Sequence, residues 1–91
     1  MKTIKVQNLT SSNGNDVPNQ FKIRTEEGVY FQSYSSIIVF VPNEGKTQLD
    51  MNKWDYSKTT GKYRNQFLGE TKSETQRKID KGVYELVDLN F

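Results

Sequence analysis

The stretch Gln20-Phe-Lys-Ile-Arg-Thr-Glu-Glu-Gly-Val-Tyr-Phe-Gln32 alternates apolar and polar residues on both sides of a Glu-Glu-Gly connection. Side chains of a strand point to opposite faces in turn, so Phe21 and Ile23 are expected to point inward and Lys22 and Arg24 outward. Gly28 has no Cβ and tolerates the positive φ that a short hairpin connection demands. This is the best-supported hairpin in the chain, with strands over 20–25 and 29–32.

Working outward, Ser33-Tyr34-Ser35-Ser36 reads as a tight turn or a bulge. Ile37-Ile-Val-Phe-Val41 is apolar at every position, the pattern of a central strand covered on both faces, here by helices or a curled sheet on the second side. Pro42 to Gly45 ends it, and Leu49 and Met51 mark a further strand over 46–51. Towards the N-terminus, residues 2–7 alternate with Ile4 and Val6 on one face. Residues 8–19 are turn formers almost throughout and predict a mobile polar loop. After residue 52 the period lengthens. Tyr63 and Phe67 lie four apart, with Thr59 or Thr60 as N-cap and Gly69 as C-cap of a helix. Thr71-Lys-Ser-Glu74 and Ser73-Glu-Thr-Gln76 are two overlapping capping-box patterns for a second helix ending near Gly82. Val83 to Leu89 alternates again. The expected fold is a single α+β domain over 1–91: an antiparallel β-meander of about five strands, two short helices and a closing C-terminal strand.

Composition narrows the chemistry. The chain has no histidine and no cysteine, which removes imidazole acid–base catalysis, thiolate nucleophiles, disulfides and the usual zinc ligands. No carboxylates pair in the sequence as an acid–base couple. The sequence therefore implies no enzyme, no cofactor and no metal. No apolar run approaches the length of a spanning helix and none follows Met1, so a cytoplasmic protein without membrane contact is expected. The net charge of +2 is unevenly placed. Residues 53–81 carry eight cations against four carboxylates, a mild basic bias that suits weak, salt-sensitive contact with a polyanion.

That bias concentrates in Lys53-Trp-Asp-Tyr-Ser-Lys-Thr-Thr-Gly-Lys-Tyr-Arg64. Trp54, Tyr56 and Tyr63 offer rings for stacking on bases, and Lys53, Lys58, Lys62 and Arg64 offer charge to phosphates. The alternative is that Trp54 and Tyr63 seal the core where sheet hands over to helix, with the cations solvated around them. Ser57, Thr59, Thr60 and Gly61 either cap the helix or hold an anion at its N-terminus. The segment is not a P-loop, because Tyr63 follows Gly61-Lys62 and no glycine lies five residues before Gly61. Tyr30 and Tyr34 fall on one strand face by alternation and either form a second candidate contact surface or pack under the helical pair.

The runs Gly28-Val-Tyr-Phe-Gln-Ser-Tyr-Ser-Ser-Ile-Ile38 and Trp54-Asp-Tyr-Ser-Lys-Thr-Thr-Gly-Lys-Tyr-Arg-Asn-Gln-Phe-Leu-Gly69 resemble a group of small bacteriophage and prophage accessory proteins. The shared features are a Phe-x-Ser-Tyr strand and a Tyr-Ser-x-Thr-Thr-x-Lys strand-to-helix segment, covering residues from about 20 to 90. Gly61 stands where that group has serine or another small residue. The resemblance implies a setting and no chemistry: a non-catalytic anti-defence or host-takeover factor in a bacterial cytoplasm, binding a host protein or a protein–nucleic-acid complex. Direct DNA or RNA binding through residues 53–64 is the alternative. Either a monomer or a homodimer fits.

Overall fold

A computed structural model of the chain describes residues 4–90. Six strands, β1 (Lys5–Thr10), β2 (Asp16–Arg24), β3 (Gly28–Ser33), β4 (Ser36–Pro42), β5 (Gln48–Asp50) and β6 (Glu85–Val87), form one sheet in chain order. The pairings from β1 to β5 are antiparallel, as a meander requires. Two helices, α1 (Lys58–Leu68) and α2 (Lys72–Asp80), follow β5. This excursion returns the chain so that β6 pairs parallel to β5, since parallel neighbours need a long crossover. The architecture is the expected α+β meander with a closing strand.

Two turns define the central hairpins. Gly28 has φ 150°, and a Cβ there would collide with the Val41 carbonyl oxygen and come within 2.7 Å of the Pro42 Cα. Only glycine lets β3 begin this close to the end of β4. Tyr34, with φ 57°, and Ser35 make the two-residue turn into β4.

Residues 8–19 depart from the sequence expectation, since most of them are strand rather than loop. β1 runs on to Thr10 and β2 begins at Asp16. The turn between them closes through Ser11 N–H to Asn15 O at 2.8 Å and Gly14 N–H to Ser11 O at 2.9 Å. Asn8 Nδ2 donates to Val17 O at 2.9 Å beside a bulge between Asn8 and Thr10. Ladder hydrogen bonds to a neighbouring strand override the poor intrinsic propensity of Asn, Ser and Pro.

The core lies on the helix side of the sheet. Leu9, Phe31, Ile38, Val39, Leu49 and Tyr63 are buried together, and Val17, Val41, Trp54, Phe67, Leu68, Ile79 and Tyr84 pack against them. Phe31 meets Phe67 of α1 with ring centroids 5.6 Å apart. The all-apolar run of β4 has a different cause from the one expected. A bulge opposite Phe31 and Gln32 leaves Ile38 as an extra residue, so both Ile38 and Val39 turn into the core. Ile37 and Phe40 face the other way and stay half-buried. Neither belongs to the core cluster.

The N-terminal strands need a further correction. Their apolar stripe was expected to point inward, yet Val6 is 61% exposed and Ile4 64%. Lys22 pairs with the core residue Phe31, and Val6 pairs with Ile23. Directly opposite residues share a face, so Phe21 and Ile23 look away from the helices while Lys22 and Arg24 lie on the helix side. The register imposed by β3 decides which face each stripe occupies.

The helices end as the sequence suggests, with one shift. Ser57, not Thr59 or Thr60, caps α1, accepting from Thr60 N–H through its side chain. Thr60 lies one turn inside the helix, fully buried, with its hydroxyl 2.8 Å from that of Ser33. Gly69 closes α1 in the left-handed conformation at φ 70°. Thr71 and Glu74 complete the capping box of α2.

Candidate functional site

Chain leaving β5 must turn back over the sheet before α1 begins, and Asp50 organises that turn. Its fully buried carboxylate accepts from Asn52 N–H at 3.1 Å and from Leu89 N–H at 2.8 Å. Lys53 and Trp54 N–H groups both bond the Asp50 carbonyl. This delivers Asp55 to the start of α1. There Arg64, completely buried, donates from Nη1 to the Trp54 carbonyl at 2.6 Å and to Asp55 Oδ1 at 3.1 Å, and from Nη2 to Asn65 Oδ1 at 2.9 Å. The guanidinium lies 5.1 Å from the Trp54 ring centroid. From α2, Lys72 reaches the other oxygen of Asp55 at 2.6 Å. Partial burial alone would raise the Asp55 carboxyl, but hydrogen bonds from Lys72 and Arg64 outweigh it and hold the group below its ordinary 3.8.

Around this clasp opens a shallow groove of about 510 Å³, lined by Asp55, Tyr56, Ser57, Lys58, Gly61 and Lys62 together with Arg64, Asn65 and Lys72. Four cations face one carboxylate that two of them already neutralise. The first turn of α1 holds no acidic residue of its own, and Asp55, just ahead of the Ser57 cap, is the carboxylate nearest the positive end of its dipole. Lys58 and Lys62 are exposed, and Tyr56, 45% exposed, stands at the wall with Lys53 Nζ 5.4 Å from its ring. The arrangement attracts anions.

The structure divides the residues singled out from the sequence. Tyr56, Lys58 and Lys62 line the groove, and Lys53 sits beside it. Trp54, Tyr63 and Arg64 are packed inward: Tyr63 is part of the core, Trp54 packs on it, and Arg64 lies beneath the groove with its faces covered. The core-sealing alternative describes Trp54 and Tyr63. Tyr30 lies on the opposite face of the sheet, stacked on Phe40 with centroids 4.3 Å apart. Tyr34 is in the β3–β4 turn and 49% exposed. The left-handed turn ends the strand alternation before Tyr34, so Tyr30 and Tyr34 do not form the strand face that alternation predicted. Lys72 and Asn65 line the groove and were missed. Lys72 is seventeen positions from Asp55, and no local periodicity links them.

Comparison with known sequences adds one result. Residues 4–83 match a family of unknown function, DUF8033. The chain belongs to that family. The match spans β1 through α2 and includes every residue lining the groove. No curated protein and no solved structure matches the chain.

Proposed function

We propose that this protein is a non-catalytic nucleic-acid-binding module whose groove at the start of α1 takes backbone phosphates. The observation that carries the reading is the groove itself, where Lys58, Lys62, Lys72 and Arg64 surround a single carboxylate at the start of α1. Tyr56, exposed at the wall, supplies a ring on which an unstacked base can rest. The single-stranded form is favoured because the stacking ring and the cations share one shallow groove. The lone carboxylate, held ionised by its two partners, supports a binding role over acid–base chemistry. In the setting implied by the phage resemblance, the module works in a bacterial cytoplasm on host nucleic acid, free or within a protein complex.

Fluorescence anisotropy with labelled single-stranded and duplex oligonucleotides at low salt tests this. Wild-type protein binds single strands, and joint replacement of Lys58, Lys62 and Lys72 by glutamate abolishes binding. All three side chains are exposed, so the circular dichroism spectrum stays unchanged. Tyr56→Ala weakens single-strand binding by about 1–3 kcal/mol. No binding at low salt, or equal affinity for the triple variant, overturns the reading.

A further inference from the structure

An antiparallel sheet with one solvated face ordinarily sends polar side chains to that face. Here the face away from the helices does the opposite. Val6, Ile23, Tyr30 and Phe40 lie in one register line across β1, β2, β3 and β4, and Asn8, Phe21, Gln32 and Ile37 form the next. Ile4 extends the block, 64% exposed. None of these apolar residues belongs to the core cluster. Lys5, Lys22 and Arg24 occupy the helix side by the same register, and Asp16, paired with Thr10 at the far end of β2, lies beyond the two lines. Polarity is thus inverted over 5–8 of β1 and 21–24 of β2, where the apolar residues face outward and the cations lie on the helix side, whereas Leu9 and Val17 turn inward.

We propose that this open face is the contact between two copies of the chain, stacked sheet on sheet. Two properties select a second copy as the occupant. First, the two register lines hold no carboxylate, ammonium or guanidinium. An isologous interface places each patch against itself, so any charge in it would meet or bury its own kind, and a charge-free patch avoids both costs. Second, the size suits a weak, concentration-dependent pair. Two register lines, spanning three to four residues on each of four strands about 4.8 Å apart, cover roughly 250 Å² in projection, at the small end of protein contacts. Sheets pack face to face about 10 Å apart through interdigitated apolar side chains, and the stacked Tyr30–Phe40 pair provides the central aromatic contact. Both basic grooves remain on the outer helical layers, so the proposal is independent of what they bind.

Sedimentation equilibrium of the full chain over a range of concentrations provides the test. The expected mass is twice the 10.6 kDa of one chain, falling to one chain on dilution. Val6→Glu lowers the dimer population at least tenfold at equal concentration. Val6 is exposed and outside the core, so the variant keeps its far-ultraviolet dichroism. Ile4→Glu repeats the test at another exposed position of the block. A folded wild-type chain that stays monomeric at the highest concentration overturns the proposal and assigns the face to a different occupant. A dimer that persists unchanged in both variants also overturns it, because association then uses another surface.

Discussion

Arg64 carries the largest fully buried side chain of the protein, although a sequence reader sees it as one more cation in a basic–aromatic run. Its planar fork binds the Trp54 carbonyl, Asp55 and Asn65 at once, a geometry that a lysine ammonium cannot reproduce. Arg64→Ala empties a fully buried site and removes three hydrogen bonds, while Asp55 keeps Lys72, so the cost is about 2–5 kcal/mol and Arg64→Lys recovers little of it. Urea denaturation of the three proteins measures this. Gly61, one turn earlier, behaves in the reverse way. A Cβ there meets its nearest heavy atoms, Asp55 Oδ1 and the Arg64 guanidinium nitrogens, at 3.6–3.7 Å, which is ordinary contact. Gly61→Ala therefore stabilises the protein by about 0.5–1 kcal/mol by reducing unfolded-chain freedom and favouring helix, read as a rise in Tm. The added methyl group also narrows the groove.

At the scale of elements, α2 depends on its ends more than on its faces. Only Thr75 is buried along it, and Ile79 is its single strongly apolar contact with the core. Thr71→Ala removes the acceptor for Glu74 N–H and half of the capping box. The expected loss is about 1 kcal/mol, with faster amide exchange confined to α2 and the segment after it. A second clamp holds α2 to the chain that follows. Glu70, 4% exposed at its side chain, accepts from Lys78 at 2.6 Å, Tyr84 at 2.5 Å and Thr75 at 3.0 Å. Burial alone would raise the Glu70 carboxyl, but these hydrogen bonds outweigh it and hold it below its ordinary 4.5. A depressed carboxylate contributes stability that is fully present above the unfolded value and is lost as pH falls through the folded one. Acid titration of stability therefore shows a loss beginning near pH 4.5, and Glu70→Gln flattens that part of the curve. The same clamp raises Tyr84, through burial and then its bond to Glu70. That contribution is present below pH 10 and is lost as pH rises through the higher folded value.

For the whole molecule, the deciding quantity is where charge sits relative to the two faces of the sheet. The helical layer carries the groove and its exposed lysines, while the two register lines across the middle of the open face hold no charge. Binding of a polyanion at the groove is therefore electrostatic. With three lysines engaged, log K against log salt falls with a slope of roughly −2 to −3, allowing about 0.7–0.9 per phosphate. Each of Lys58, Lys62 and Lys72 changed singly to glutamine lowers the slope by nearly one unit, and a titration series at several salt concentrations checks it. A flat dependence would mean that the groove does not meet phosphates. Within the same frame, Asn90 closes the sheet below β5. Its carboxamide both accepts from Ile37 N–H at 2.7 Å and donates to Ile37 O at 2.8 Å, reproducing a ladder pair along the part of β4 that β5 is too short to cover.

Local chemistry by itself determined the hairpin about Gly28, the glycine at the end of α1, a capping box at the start of α2 and the order of strands and helices. Each rests on neighbours in sequence, where dihedral preference and side-chain period act. The same alternation could show that Ile4 and Val6, or Phe21 and Ile23, share a face. It could not say which face, because only pairing with β3 and the seat of α1 on Phe31 set the register. Composition likewise marked residues 53–64 as basic and aromatic. Only tertiary packing separated the inward Trp54, Tyr63 and Arg64 from the outward Tyr56, Lys58 and Lys62, and brought Lys72 across to Asp55. Burial is a property of what lies opposite a residue in space, and for these residues the opposing groups come from distant parts of the chain.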